Sequence, residues 1–128
     1  MLKQIFFYAA LFWTGVILFF CLINANEIRQ ISIPYFDKVI HAGFHFVFTT
    51  LWFLFFKKKL ETTNSFKPLT ISFVLSFFFG IAIELMQQYF TETRTADVLD
   101  VLANLSGAAL VIIVIIVLNA YNGVVNRI

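Results

Sequence analysis

Four long, uninterrupted apolar runs constrain this chain more than any other feature. They occupy residues 5–23, 39–56, 69–90 and 98–118. Each is close to the roughly 20 residues that a helix needs to cross a bilayer. A continuous apolar run spans a membrane only as a helix, because lipid cannot satisfy open backbone groups. We therefore predict an all-α, integral membrane bundle of four transmembrane helices that forms a single domain over residues 1–128.

The composition supports this class. The chain is 61% hydrophobic and only 12% charged, and it holds 18 Phe, whereas soluble proteins are about 25% charged. The net charge of +2 is too small to indicate a nucleic-acid partner. The single cysteine, Cys21, lies in the first apolar run, so no internal disulfide forms and we expect a buried structural thiol.

The first apolar run has a second interpretation, a cleaved signal peptide. It is longer than the usual hydrophobic region of a signal, and Lys3 is the only basic residue before it. We therefore interpret the run as a membrane helix.

The ends of the spans carry residues that favour helix termini. Asp37 can cap the second helix, and Pro68 suits the first turn of the third, where its missing N–H costs nothing. Thr95 or Asp97 can cap the fourth helix. Residues 57–59, all lysine, close the second span and complement its C-terminal dipole.

Basic residues orient the chain. Six lie at the termini or between spans two and three, against three in the other two loops. Basic loops face the cytoplasm, so we predict cytoplasmic termini and a bacterial inner-membrane, multi-pass location. The cytoplasmic set is Lys3, Lys57, Lys58, Lys59, Lys67 and Arg127, and the outward set is Arg29, Lys38 and Arg94.

Three spans carry a polar stripe at the predicted outer end. Ionisable groups within a span are costly and usually face the bundle interior, so the spacings indicate one polar pocket open to the outer face. The second span contributes Asp37, His41 and His45; the third contributes Glu84, Gln87 and Gln88; the fourth contributes Asp97, Asp100, Asn104 and Gly107.

Small residues at four-residue spacing indicate where helices approach closely. Ser76 and Gly80 form one such pair in the third span, and Ala103 and Gly107 form another in the fourth.

The segments "FDKVIHAGFHFVFTTLWFLF" and "GIAIELMQQYFTETRTADVLDVLANLSGAAL" resemble the VanZ-like family of small bacterial membrane proteins, over about residues 34–118. One departure is His45, where the family more often has an aromatic residue such as Tyr. The family's namesake is implicated in low-level resistance to the glycopeptide teicoplanin, so the resemblance implies a role in the cell envelope. The residues that match the family pattern are Asp37, Lys38, His41, Gly80, Glu84, Gln87, Arg94, Asp100, Asn104 and Gly107.

The leading functional hypothesis is a pocket that binds or modifies a lipid or lipid-linked cell-wall head group. Arg94 and Lys38 would contact an anion, and Arg94 has the alternative of pairing with Asp97 or Asp100. The predicted binding residues are Asp37, Lys38, His41, Glu84, Gln87, Arg94, Asp100 and Asn104.

An enzyme is a second hypothesis. Glu84 or His41 would act as a general base, with Asp100 orienting the imidazole. The sequence does not, however, show a nucleophile paired with such a base. A metal version would use these three residues and His45. The HxxxH spacing of His41 and His45 lacks the glutamate of HExxH, so that signal is weak, and we expect neither a metal nor a cofactor.

A third hypothesis is a structural or transport role, in which the stripes specify helix packing or form a proton path. The inner halves of the spans, such as "FTTLWFLFF" and "VIIVIIVL", offer no polar continuation. This argues against a transmembrane path in a monomer, although a homodimer would supply eight spans. The bilayer itself is the partner that all three hypotheses share.

Overall fold

The chain forms four long α-helices and no other regular element in the part that the structure describes. In this computed structural model, residues 1–22, 36–61, 65–90 and 98–122 are described, without the side chains of residues 36, 37, 121 and 122. The helices are α1 (Leu2–Leu22), α2 (Phe36–Lys59), α3 (Phe66–Phe90) and α4 (Val98–Asn122). Each is long and apolar enough to cross a membrane, which confirms the all-helical, four-span prediction.

The helices extend beyond the apolar runs because their polar ends are also compatible with helix. Lys57, Lys58 and Lys59 form the last turn of α2, where cations interact favourably with the helix dipole. Pro68 lies in the first turn of α3, as expected. The predicted caps Thr95 and Asp97 lie outside the described residues, and so does the side chain of Asp37.

The packing places α2 and α3 in the middle of the bundle. Each of them contacts all three other helices, whereas α1 and α4 have no contact with each other among the described residues. The bundle therefore has an α1 side and an α4 side. Exposed apolar side chains such as Phe12 and Phe78 cover its outer faces, which suits a lipid environment.

Two apolar clusters form the core. Ile17, Cys21, Phe48 and Ile83 are buried together where α1 packs on α2 and α3. Cys21 is thus a buried thiol outside any disulfide among the described residues, as expected. A second cluster of Phe53, Leu69, Val111 and Ile115 joins α2, α3 and α4 nearer the lysine-rich end.

The small residues do allow close approach of helices. A β-carbon built on Gly107 would lie 2.0 Å from the backbone oxygen of Ala42, so α4 and α2 are in backbone contact at this point. A β-carbon on Gly80 would lie 2.9 Å from Nδ2 of Asn104. The backbone contact of Gly107 with Ala42 fixes the depth at which the polar side chains of α2 and α4 meet.

Candidate functional site

Five polar side chains from three helices lie together at the end of the bundle away from the lysine turn. Helical spacing places Lys38 and His41 on one face of α2, and Asp100 and Asn104 on one face of α4. Glu84 reaches the same place from α3. Four of them, all except Lys38, are at most 7% exposed. We call Lys38, His41, Glu84, Asp100 and Asn104 the polar cluster.

A salt bridge between Lys38 and Asp100 lies at the mouth of the cluster. The Nζ atom of Lys38 donates to Oδ1 of Asp100 at 2.5 Å. The two side chains are 19% and 10% exposed, respectively. The ammonium group is thus held in place by a carboxylate while it stays partly accessible.

His41 lies directly beneath this salt bridge and joins α2 to α4. Its Nδ1 atom lies 3.2 Å from Oδ1 of Asn104, and its Nε2 atom lies 3.8 Å from Oδ2 of Asp100. An amide oxygen only accepts hydrogen bonds, so Nδ1 carries the proton and Nε2 faces the carboxylate. The imidazole therefore contacts both polar side chains that α4 contributes to the cluster.

Glu84 adds a second carboxyl group to this arrangement. It is 4% exposed, and one of its oxygens lies within 4.8 Å of ligand atoms of both His41 and Asp100. Lys38 compensates the charge of Asp100, and buried carboxyl groups in a span are costly unless they are protonated or paired. The polar cluster thus brings together one ammonium group, two carboxyl groups, one imidazole and one amide.

The same three side chains are a possible set of metal ligands. His41, Glu84 and Asp100 each offer one donor atom, and these atoms all lie within 4.8 Å of one another. Asp100 also forms the salt bridge with Lys38. His45, the fourth ligand of the predicted metal version, does not join this group.

His45 instead lies one turn deeper and makes a different contact. Its Nδ1 atom and the hydroxyl of Ser76 on α3 are 2.8 Å apart, and both side chains are buried. The ring packs near those of Phe48 and Phe79. The sequence had indicated Ser76 only as a small packing residue, and nothing in its spacing identified the histidine partner.

The buried polar residues extend deeper than the sequence suggested. Thr49 and Ser72 are both fully buried below His45, so the inner halves of the spans, which were expected to offer no polar continuation, include these two hydroxyl groups. The cause is the continued i, i+4 stripe of α2, which passes through the "TT" of the second span. Below them, the apolar cluster around Phe53 lies between these side chains and the lysine-rich end.

Gln87 lies at the same end of the bundle but faces α1. Its Nε2 atom donates to the backbone oxygen of Cys21 at 2.8 Å, near the end of α1, where carbonyl groups lack helical partners. Gln88 is exposed and does not share this buried face. The remaining predicted binding residues lie outside what is described, namely the side chain of Asp37 and all of Arg94.

The four apolar helices and their buried polar cluster define a multi-pass membrane protein. Searches of curated proteins and of solved structures found no significant match. The VanZ/LLP1 family matches residues 4–119, nearly the whole chain. The chain therefore belongs to the VanZ/LLP1 family. The matched region includes α1, whereas the resemblance noted from the sequence began at about residue 34.

Proposed function

We propose that the polar cluster binds, or binds and modifies, the head group of a lipid or a lipid-linked cell-wall precursor in a bacterial cytoplasmic membrane. The observation that carries this proposal is the gathering of Lys38, His41, Glu84, Asp100 and Asn104 from three helices at one end of the bundle. Charged groups within membrane spans are costly and usually have a function.

Charge distribution supports an outward-facing site. The lysine turn of α2 and Lys67 lie at the opposite end of the bundle from the polar cluster. By the positive-inside rule, that end and both termini face the cytoplasm. The cluster then lies in the outer leaflet, where lipid-linked cell-wall precursors are used.

Lys38 is the group best placed to contact an anionic head group. It is the most exposed member of the salt bridge with Asp100, and an ammonium group is a compact donor for phosphate. Arg94 follows Glu84 and precedes Asp100 in the chain, and we propose that it supplies a second contact. His41 and Glu84 would form hydrogen bonds with the head group or exchange a proton with it.

A second candidate function is helix packing or docking of a partner protein. The contacts of His41 with Asn104 and of Lys38 with Asp100 both join α2 to α4. Polar contacts of this kind stabilise membrane helix pairs by about 0.6 kcal/mol on average. On this alternative, removal of the Glu84 charge would change stability and leave lipid retention intact.

The family membership makes glycopeptide susceptibility the relevant phenotype. We expect expression of the chain to raise the teicoplanin concentration that a sensitive bacterial host survives. Glu84→Gln and Asp100→Asn should remove that increase at equal protein levels, because each replaces a carboxyl group of the cluster by an amide. Glu61→Gln is the matched control, since Glu61 is exposed at the opposite end.

The measurement is growth across a teicoplanin dilution series, with membrane levels determined by immunoblot. Full protection by both Glu84→Gln and Asp100→Asn would contradict a role for the cluster in this phenotype.

A further inference from the structure

A groove of about 410 Å³ lies between α3 and α4, at the lysine-rich end of the bundle and far from the polar cluster. This volume is within the roughly 300–1,000 Å³ of ligand sites. Both helices line it with an i, i+3, i+4, i+7 stripe. The lining residues are Ser65, Phe66, Leu69, Thr70 and Phe73 on one side, and Ile112, Ile115, Ile116 and Asn119 on the other.

The chemistry of this groove changes along its length. At the lysine-rich end, Nδ2 of Asn119 donates to the hydroxyl of Ser65 at 3.4 Å. Toward the bundle centre, about two helical turns away, the walls are Phe73 and Ile112. The groove is thus polar at the level of the lipid head groups and apolar at the level of the acyl chains.

One exposed lysine adjoins the polar end. Lys67 lies in the first turn of α3, one residue after Phe66. The lysine-rich last turn of α2 lies at the same end of the bundle but is not among the residues that line the groove. Basic pockets between membrane helices attract anionic lipids, so the charge is complementary to a head group with a net negative charge and less so to a zwitterionic one.

We propose that this groove binds one anionic phospholipid of the leaflet at the lysine-rich end. Its phosphate lies beside Ser65 and Asn119, within reach of the Lys67 ammonium group. One acyl chain lies along Leu69 and Ile116 toward Phe73. This site is separate from the polar cluster, so it does not depend on the function proposed for that cluster.

The test is native mass spectrometry of purified, delipidated full-length protein titrated with phosphatidylglycerol and phosphatidylcholine of identical acyl chains. Ile116→Trp places a large ring in the groove. We expect it to reduce phosphatidylglycerol binding at least tenfold. Val117→Trp is the matched control, because Val117 is 45% exposed on the same helix and does not line the groove. We expect it to bind as wild type does.

Charge is tested with a second pair of variants. We expect Lys67→Gln to reduce the preference for phosphatidylglycerol, and Lys3→Gln, at the start of α1, to leave it unchanged. Equal binding of both lipids by wild type, or undiminished binding by Ile116→Trp, would overturn the proposal. Loss of the same phosphatidylglycerol in Glu84→Gln would also overturn it, since the groove would then not be a separate site.

Discussion

Replacing Gly107 with alanine will separate α4 from α2 and lower the free energy of unfolding by about 3 kcal/mol or more, at the upper end of the range for overpacked cores. The added β-carbon would lie 2.0 Å from the backbone oxygen of Ala42 and 2.8 Å from its carbonyl carbon. A backbone group cannot rotate away as a side chain can, so one helix must move. Equilibrium unfolding in mixed micelles measures the loss.

Gly43 provides the control for this prediction. It is also a helical glycine, next to Ala42 on α2, and a β-carbon there would meet no atom within 4 Å. Gly43→Ala should be neutral or stabilising by about 0.5–1 kcal/mol, because alanine favours helix over glycine. Equal stability of Gly107→Ala and Gly43→Ala would show that the close contact between α2 and α4 is absent in solution.

Removal of Asp100 is expected to have the second largest effect. Asp100→Leu removes the carboxylate that lies 2.5 Å from the Lys38 ammonium group. Breaking a buried ion pair typically costs 3–5 kcal/mol. Because Lys38 is 19% exposed, we expect a smaller loss of about 2 kcal/mol, since water partly solvates the ammonium group.

The double variant Lys38→Met/Asp100→Leu identifies the cause of that loss. Replacing both members of an ion pair by apolar residues often leaves stability unchanged. We therefore expect the free energy of unfolding of the double variant to lie within about 1 kcal/mol of that of wild type. The same unfolding assay on wild type, Lys38→Met, Asp100→Leu and the double variant gives the coupling between the two residues. If the two single losses simply add, the pair does not stabilise the fold.

The helices and the polar cluster could be predicted from the sequence because they follow from periodicity. Apolar length identifies four spans, and the 3.6-residue period places His41 with His45 and Asp100 with Asn104, whereas Lys38 was identified from the family pattern. The cost of charge in lipid then brings Glu84 to the same interior. These arguments need only the helical period and the cost of polar groups in lipid, and both apply to every residue of a span.

The contacts between particular helices could not be predicted in this way. Gln87 shares the spacing of Glu84, yet it donates to Cys21 on α1, since the relative rotation of three helices decides which neighbour it meets. The contact of His45 with Ser76 depends on the same rotation. The burial of Thr49 was not predicted, because one hydroxyl group does not change the apolar character of the run in which it lies.

The proposed head-group site is tested most directly by native mass spectrometry of the protein extracted gently with its own lipids. Wild type, Glu84→Gln and the control Glu61→Gln would be compared at equal thermal stability, and any lipid also lost from Ile116→Trp would be assigned to the α3–α4 groove. We predict that wild type and Glu61→Gln retain the same lipid or lipid-linked sugar, and that Glu84→Gln retains at least tenfold less of it. Equal lipid retention by all three proteins would contradict the head-group site and favour helix packing as the role of the polar cluster.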